Sequence, residues 1–206
     1  MTMSFEAVPT TPARTRSVVL GAVLWVAIAA LISAIGLPQR LTPPAPQIVI
    51  LLLTIALIAV GRLYQPLHSW IVTVDLRALV GFHLLRAVAG AGFLWAASHG
   101  TLSSGFANMA GYGDIGVAIL ALILIVFVSP ELSVAPLLYV IWNTLGLIDI
   151  MLVVVTATRI GMSDPAAMAL LLRPPFAVIP LFLVPIVIVT HVWIFERLLR
   201  RVGVGR

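Results

Sequence analysis

Long apolar stretches, separated by short polar or proline-containing segments, make up most of this chain. A helix that crosses a bilayer needs about 20 predominantly apolar residues. The sequence therefore predicts an all-α fold, a polytopic membrane protein with a bundle of six transmembrane helices. We expect residues 1–206 to form a single transmembrane domain, with spans at about 17–36, 47–65, 78–98, 114–129, 137–158 and 177–197.

The first apolar run, Ser17 to Gly36, follows two arginines and so resembles a signal peptide. A signal peptide has an apolar core of roughly 7–15 residues. The run is longer than that, which favours an uncleaved first span.

Two segments between spans have distinctive sequences. His99 to Gly113 reads HGTLSSGFANMAGYG, and its Gly, Ser and Asn residues favour a flexible loop that ends at an N-cap for the fourth span. We expect this outer loop to supply an outer mouth from Phe106, Asn108, Tyr112 and Asp114. Ser163-Asp164-Pro165 is typical of a helix start, so a short outer helix is predicted at about 165–172. In the sixth span, Pro180 and Pro185 each remove a backbone hydrogen bond and predict a bend.

Composition supports the membrane interpretation and excludes several chemistries. The chain is 62% hydrophobic and 9% charged, against about 25% charged residues in soluble domains. All basic residues are arginines, so lysine Schiff-base chemistry is excluded. Cysteine is absent, which removes thiol chemistry and thiolate metal sites. The arginines lie at the ends of apolar runs, so the expected environment is a lipid bilayer rather than nucleic acid, and the chain has no nucleotide-binding loop.

The arginines also predict the orientation. With both termini in the cytoplasm, eight arginines lie inside and three outside; the opposite orientation reverses the ratio. The positive-inside rule therefore favours cytoplasmic termini, and we expect a multi-pass protein of the bacterial cytoplasmic membrane. The inside set is Arg14, Arg16, Arg62, Arg77, Arg197, Arg200, Arg201 and Arg206; the outside set is Arg40, Arg159 and Arg173.

An internal repeat is a further prediction. Proline-rich segments precede both the second and the fifth span, and aligning Pro46 with Pro136 also matches Thr54 with Thr144. Two such units of three spans would run in opposite directions, giving a 3+3 inverted repeat as in many transporters. Matches of this kind also arise by chance in apolar sequence, so both explanations stay open.

Polar residues inside the spans suggest where ligands bind. At about 1.5 Å per residue, His83, Asn143 and His191 lie about 7 to 9 Å from the cytoplasmic end of their spans. Arg86 lies about 12 Å deep and Asp149 about 18 Å deep, so an extended arginine could reach the carboxylate. Ionisable residues within spans normally face the bundle interior and pair with one another. We therefore expect an Arg86–Asp149 ion pair within a ligand site formed by His83, Arg86, Trp142, Asn143, Asp149 and His191.

Three functions are compatible with these residues. The first is transport or channel-like activity, with a small polar solute, an ion or a proton in an intramembrane cavity. The second is a membrane cytochrome with a b-type haem between His83 and His191. The third is a non-catalytic scaffold or accessory subunit whose buried charges serve packing alone. No cofactor is required by the first or third, no metal site is predicted outside the haem alternative, and an enzymatic role is not favoured.

Overall fold

The computed structural model describes residues 12–129 and 132–204, with side chains for 15–129 and 132–199. Every regular element in these ranges is helical. Short 3₁₀ turns lie at Pro38–Arg40 and Ala166–Leu172, and a π-helical segment, Ile179–Leu183, leads into the last helix. The α-helices are α1 (Pro12–Ala34), α2 (Ala45–Leu63), α3 (Gln65–Thr73), α4 (Leu76–Phe82), α5 (Leu85–Ser98), α6 (Ser104–Phe127), α7 (Ala135–Ser163) and α8 (Val184–Val204).

Six stretches in the described residues are long and apolar enough to cross a membrane. Helices α1, α2, α6 and α7 each supply one stretch. The third, Leu76–Ser98, combines α4 and α5, and the sixth, Ile179–Leu199, combines the π-helical segment with most of α8. The predicted all-helical architecture with six candidate spans is confirmed, and it fits a multi-pass membrane protein.

The fourth span differs from its prediction. Helix α6 begins at Ser104, with Ser103 at the N-cap position, so most of the expected flexible loop His99–Gly113 is helical. Alanine and glycine recur every three or four residues along the start of α6, and this face is buried against α5. Close helix contact therefore outweighs the intrinsic preference of glycine for loops.

Large apolar side chains cover much of the molecular surface. Leu20 is 68% exposed, Val88 72% and Phe127 75%. Apolar patches of this extent are rare on soluble monomers and are ordinary on helices that face lipid. The surface therefore indicates a protein that contacts the bilayer.

Contacts between segments distant in sequence define two ends of the bundle. At the end called proximal, Arg62 at the end of α2 pairs with Glu196 in α8, and Arg197 donates to the Val74 carbonyl at 2.6 Å. At the opposite, distal end, the Ser103 N–H donates to the Ala167 carbonyl at 3.1 Å. Four arginines on which the predicted orientation depends lie outside the described side chains: Arg14, Arg200, Arg201 and Arg206.

Two spans are irregular. Between α4 and α5 the Arg86 N–H donates to the His83 carbonyl, three residues back, at 3.1 Å, which is 3₁₀ geometry within a helix. Near the start of the sixth span, the Val184 N–H donates to the Ile179 carbonyl, five residues back. Pro180 lies at the start of this segment and Pro185 follows its end, and neither has an N–H to donate; the predicted bend stays a prediction.

A 3₁₀ turn, Ala166–Leu172, forms where a short helix is predicted at about 165–172, and the Asp164 Oδ1 atom accepts from the Ala167 N–H at 3.2 Å. Its location on the outer side stays a prediction. The inverted repeat stays a prediction, as does the cytoplasmic orientation of the termini. The packing of the two halves is unequal, since α6 has an extensive contact with α5 whereas α1 lies at the periphery.

Candidate functional site

Arg86 lies at the centre of the bundle and is bound through all three of its side-chain nitrogens. It is 1% exposed. Its Nε atom donates to Asp114 Oδ1 at 2.7 Å, Nη1 donates to the Gly146 carbonyl at 3.0 Å, and Nη2 pairs with Asp149 Oδ2. The predicted Arg86–Asp149 ion pair is therefore present. Arg86, Asp114 and Asp149 together are called the charge cluster below.

The predicted position of Asp114 is wrong. It was expected as the N-cap of the fourth span and as part of an outer mouth, but it lies inside α6 and is 4% exposed. Sequence reasoning missed its role because the preceding Gly, Ser and Asn residues resemble a loop. A usable signal was present: small residues at helical spacing put Asp114 on the same face of a helix. These residues are Ala107, Ala110, Gly111, Ala118 and Ala121.

Glycines bring the helices of the charge cluster together. A Cβ added at Gly90 in α5 would lie 2.5 Å from the Gly111 carbonyl oxygen in α6 and 3.1 Å from the Asp114 Cβ. A Cβ at Gly113 would overlap the Asp149 carboxylate. Only glycine allows such an approach without displacing backbone or the ion pair, so these two positions set how closely Arg86 and its carboxylates meet.

His83 and His191 lie beside the charge cluster, with no exposed surface. Their ring centroids are 4.2 Å apart, and the Trp142 ring lies 5.0 Å from His83 and 5.6 Å from His191. A Cβ at Gly146 would lie 2.6 Å from His191 Cε1. Gly146 therefore contacts the imidazole and also offers its carbonyl to Arg86. The two histidines are called the imidazole pair.

Within the described ranges, each ring of the imidazole pair has a hydrogen-bond partner at only one of its two nitrogens. His191 Nδ1 lies 2.8 Å from Asn143 Oδ1, and Asn143 Nδ2 donates to the His191 carbonyl at 3.0 Å. His83 Nε2 lies 3.1 Å from the hydroxyl of Thr190, a residue that sequence reasoning missed. The remaining nitrogens, His83 Nδ1 and His191 Nε2, are buried and have no hydrogen-bond partner among the residues that the structure describes. Each ring thus keeps one nitrogen available for a proton or another donor.

The six residues predicted to bind a ligand lie together, as their estimated depths indicated. They are packed against one another, and Trp142 uses its Nε1 to donate to the Val117 carbonyl at 3.1 Å. The predicted outer mouth does not form a group. Phe106 is buried 5.4 Å from the Phe93 ring, whereas Asn108 and Tyr112 are exposed on the opposite part of α6.

The imidazole pair does not fit a haem. Axial ligation requires an iron between the two rings, with two metal–nitrogen bonds of about 2 Å each. Those bonds, added to the distance from each nitrogen to its ring centre, require centroids farther apart than 4.2 Å. Elsewhere in the part of the chain that the structure describes, no group of three or more His, Asp or Glu side chains could hold a metal ion.

A cavity of about 430 Å³ lies at the distal end. Its wall is mainly apolar and comes from α2, α5, α6, α7, the 3₁₀ turn and the π-helical segment. None of the six predicted ligand-binding residues lines it. Polar groups are few: Gln39, Thr42, Gln47, Thr158 and Arg173. This space is called the distal cavity.

The distal cavity lies on the distal side of the charge cluster, and helices α5, α6 and α7 contribute to both. Val153 lines the cavity and is one turn beyond Asp149 in α7, which corresponds to about 6 Å along the helix axis. Phe93 and Phe106 also line the cavity, and they pack against each other at its α5–α6 wall. The two features are therefore neighbours separated by an apolar layer.

Comparison with known families identifies the group to which the chain belongs. Residues 43–199 match the family described as Domain of unknown function (DUF8737), and the chain is a member of that family. No curated protein matches the chain. No solved structure matches it either.

Proposed function

We propose that this membrane protein is a proton-coupled carrier that takes a ligand into the distal cavity and binds a proton at the charge cluster. The observation that carries the proposal is the charge of that cluster, one guanidinium beside two carboxylates. An excess negative charge inside a membrane is costly. A proton on one carboxylate neutralises the cluster.

Asp149 is the better placed of the two carboxylates for proton exchange. Its side chain is 18% exposed, against 5% for Asp114. The imidazole pair adjoins the cluster through Gly146, and each ring has an unpartnered nitrogen. Imidazole is the side chain best suited to relay protons near neutral pH, so a route from Asp149 to the imidazole pair is chemically reasonable.

The irregular spans support a carrier rather than a rigid scaffold. The 3₁₀ segment that follows His83 positions both His83 and Arg86. Ile179 and Pro180 of the π-helical segment line the distal cavity. Interrupted helices at a ligand site are a recurring feature of transporters, and π-helical segments are frequent at functional sites.

Infrared spectroscopy tests proton binding directly. We expect the purified protein to show the carbonyl band of a protonated carboxylic acid near neutral pH. Asp114→Asn or Asp149→Asn should remove the band, and Asp164→Asn, at the exposed distal turn, should retain it. If the wild type lacks the band, or both cluster variants keep it, the cluster does not bind a proton as proposed.

Proton flux tests transport. Proteoliposomes that contain a pH-sensitive dye and carry a potassium diffusion potential should acidify with the wild type and with Asp164→Asn. Arg86→Gln and Asp149→Asn, alone and together, should abolish the flux. Unchanged flux in all three would refute the proposal.

A scaffold role is the second candidate, because every side-chain nitrogen of Arg86 already has an acceptor in the structure. A scaffold predicts that Arg86→Gln and Asp149→Asn lower stability while the wild type carries no proton flux. The flux measurement therefore separates the two functions.

A further inference from the structure

We infer that the distal cavity binds an anionic amphiphile, with the apolar body inside the cavity and the anionic head group at Arg173. The inference rests on the proposed function only in taking this cavity as the ligand site. Its volume of about 430 Å³ lies within the roughly 300–1,000 Å³ of pockets that hold small molecules.

The floor and walls favour a hydrocarbon body. Ile50, Phe93, Phe106 and Val153 are buried residues that line the cavity, and Met168 and Leu171 of the 3₁₀ turn cover it. Apolar area buried from water stabilises binding by about 25 cal/mol per Å². A small, strongly hydrated solute would gain nothing from these walls and would lose its hydration.

The rim adds one positive charge. Arg173 lines the cavity and is exposed. Among the side chains that the structure describes, its guanidinium has no carboxylate within salt-bridge distance. A guanidinium binds carboxylate and phosphate oxygens through paired hydrogen bonds. The free cation at the mouth of an apolar cavity therefore selects a molecule with an anionic end.

A second polar group that lines the cavity supports the inference that a ligand binds there. Gln47 lines the cavity, and its Oε1 atom is buried with no hydrogen-bond partner in the described part of the chain. Leaving a buried amide oxygen unpaired is unfavourable. A hydroxyl or amide N–H on the bound amphiphile would satisfy it. The recognised molecule thus combines a hydrocarbon body, an anionic head and a hydrogen-bond donor.

Binding measurements on the full chain in uncharged detergent test the inference. The probes are a single-chain carboxylate (dodecanoate), the uncharged alcohol of the same length, the two-chain phospholipid phosphatidylglycerol, and inorganic phosphate. Thermal stabilisation and native mass spectrometry report binding. We expect an anionic amphiphile to bind, the alcohol to bind several-fold more weakly, and phosphate alone not to bind. Comparison of dodecanoate with phosphatidylglycerol separates a free amphiphile from a membrane lipid.

Two pairs of variants locate the ligand. Ala157→Phe fills the cavity wall and should lower affinity by more than about tenfold, whereas Val155→Phe, on the exposed face of the same helix, should have no effect. Arg173→Gln should lower the affinity for the anionic amphiphile to that for the alcohol. Arg40→Gln, which removes an equal charge at the same end without lining the cavity, should not.

The inference is overturned if Ala157→Phe binds the anionic amphiphile with the affinity of the wild type. It is also overturned if the alcohol binds as tightly as the anionic probes and Arg173→Gln changes neither affinity. Asp149→Asn should keep amphiphile binding even though it removes the proposed proton site. If the wild type binds the amphiphile but carries no proton flux, the carrier proposal fails and this inference stands. If it carries proton flux but does not bind the amphiphile, this inference fails and the proton site stands.

Discussion

At the residue scale, Arg86 connects three helices through its side chain. It donates to carboxylates on α6 and α7 and to a backbone carbonyl on α7. Removing one partner of a buried ion pair leaves the others charged and desolvated, which costs more than the pair itself contributes. Arg86 should therefore affect both stability and any proton chemistry.

We expect Arg86→Gln to lower the free energy of unfolding by about 3–5 kcal/mol, because two carboxylates lose their cation. Unfolding in mixed detergent, followed by circular dichroism, measures the change. Arg40→Gln, at an exposed position, serves as the matched control and should leave stability unchanged. Adding Asp149→Asn to Arg86→Gln should recover part of the lost stability. A double variant that loses more unfolding free energy than the two single variants together would contradict the ion-pair account.

The ion pair was predictable at this scale and Asp114 was not. Arg86 and Asp149 are conspicuous because each stands within a long apolar run, and their depths follow from residue counts. Asp114 follows a stretch rich in Gly, Ser and Asn, whose local preference for loops competes with its helical spacing. Burial against α5 decided that competition.

At the element scale, the contact between α5 and α6 positions the charge cluster. Gly90 and Gly111 face each other across this contact, and a Cβ at either would meet the partner helix within 3.0 Å. Helices in lipid associate largely through close packing of small residues. Helix α6 is therefore the partner that packs closely against Gly90 of α5.

Gly90→Ala should destabilise the protein by about 1–3 kcal/mol, the usual cost of overpacking, because its Cβ meets backbone and not a flexible side chain. Gly116→Ala is the control: among the described residues, no heavy atom beyond its chain neighbours and the adjacent backbone of α6 lies within 4 Å of the added Cβ, so stability should be unchanged or slightly higher. Thermal unfolding in detergent compares the two. Equal effects would mean that the α5–α6 contact is looser than described.

At the scale of the whole molecule, the arginines fall into two groups, one at each end of the bundle. Arg62 and Arg197 make contacts at the proximal end, whereas Arg173 lines the distal cavity. This agrees with the grouping on which the predicted orientation depends. The orientation itself, with the proximal end in the cytoplasm, is still a prediction.

Single-cysteine labelling tests that orientation on a background without native cysteine. With a membrane-impermeant maleimide, Asp164→Cys at the distal end should be labelled in intact cells. Gln65→Cys at the proximal end should be labelled only after permeabilisation. Both residues are exposed, and the unmodified chain supplies the blank. Labelling of Gln65→Cys alone in intact cells would reverse the predicted topology.

The amino-acid sequence by itself determined the membrane class, the six apolar helices and the relative positions of Arg86 and Asp149 along their helices. These properties depend on local hydropathy and on the rise of a helix, both of which are read from neighbouring residues. Only the tertiary structure decided that Asp114 joins Arg86, that the two imidazoles touch, and that the cavity lies at the distal end. Those outcomes depend on how each helix is rotated about its axis, which packing contacts between distant segments select and neighbouring residues do not specify.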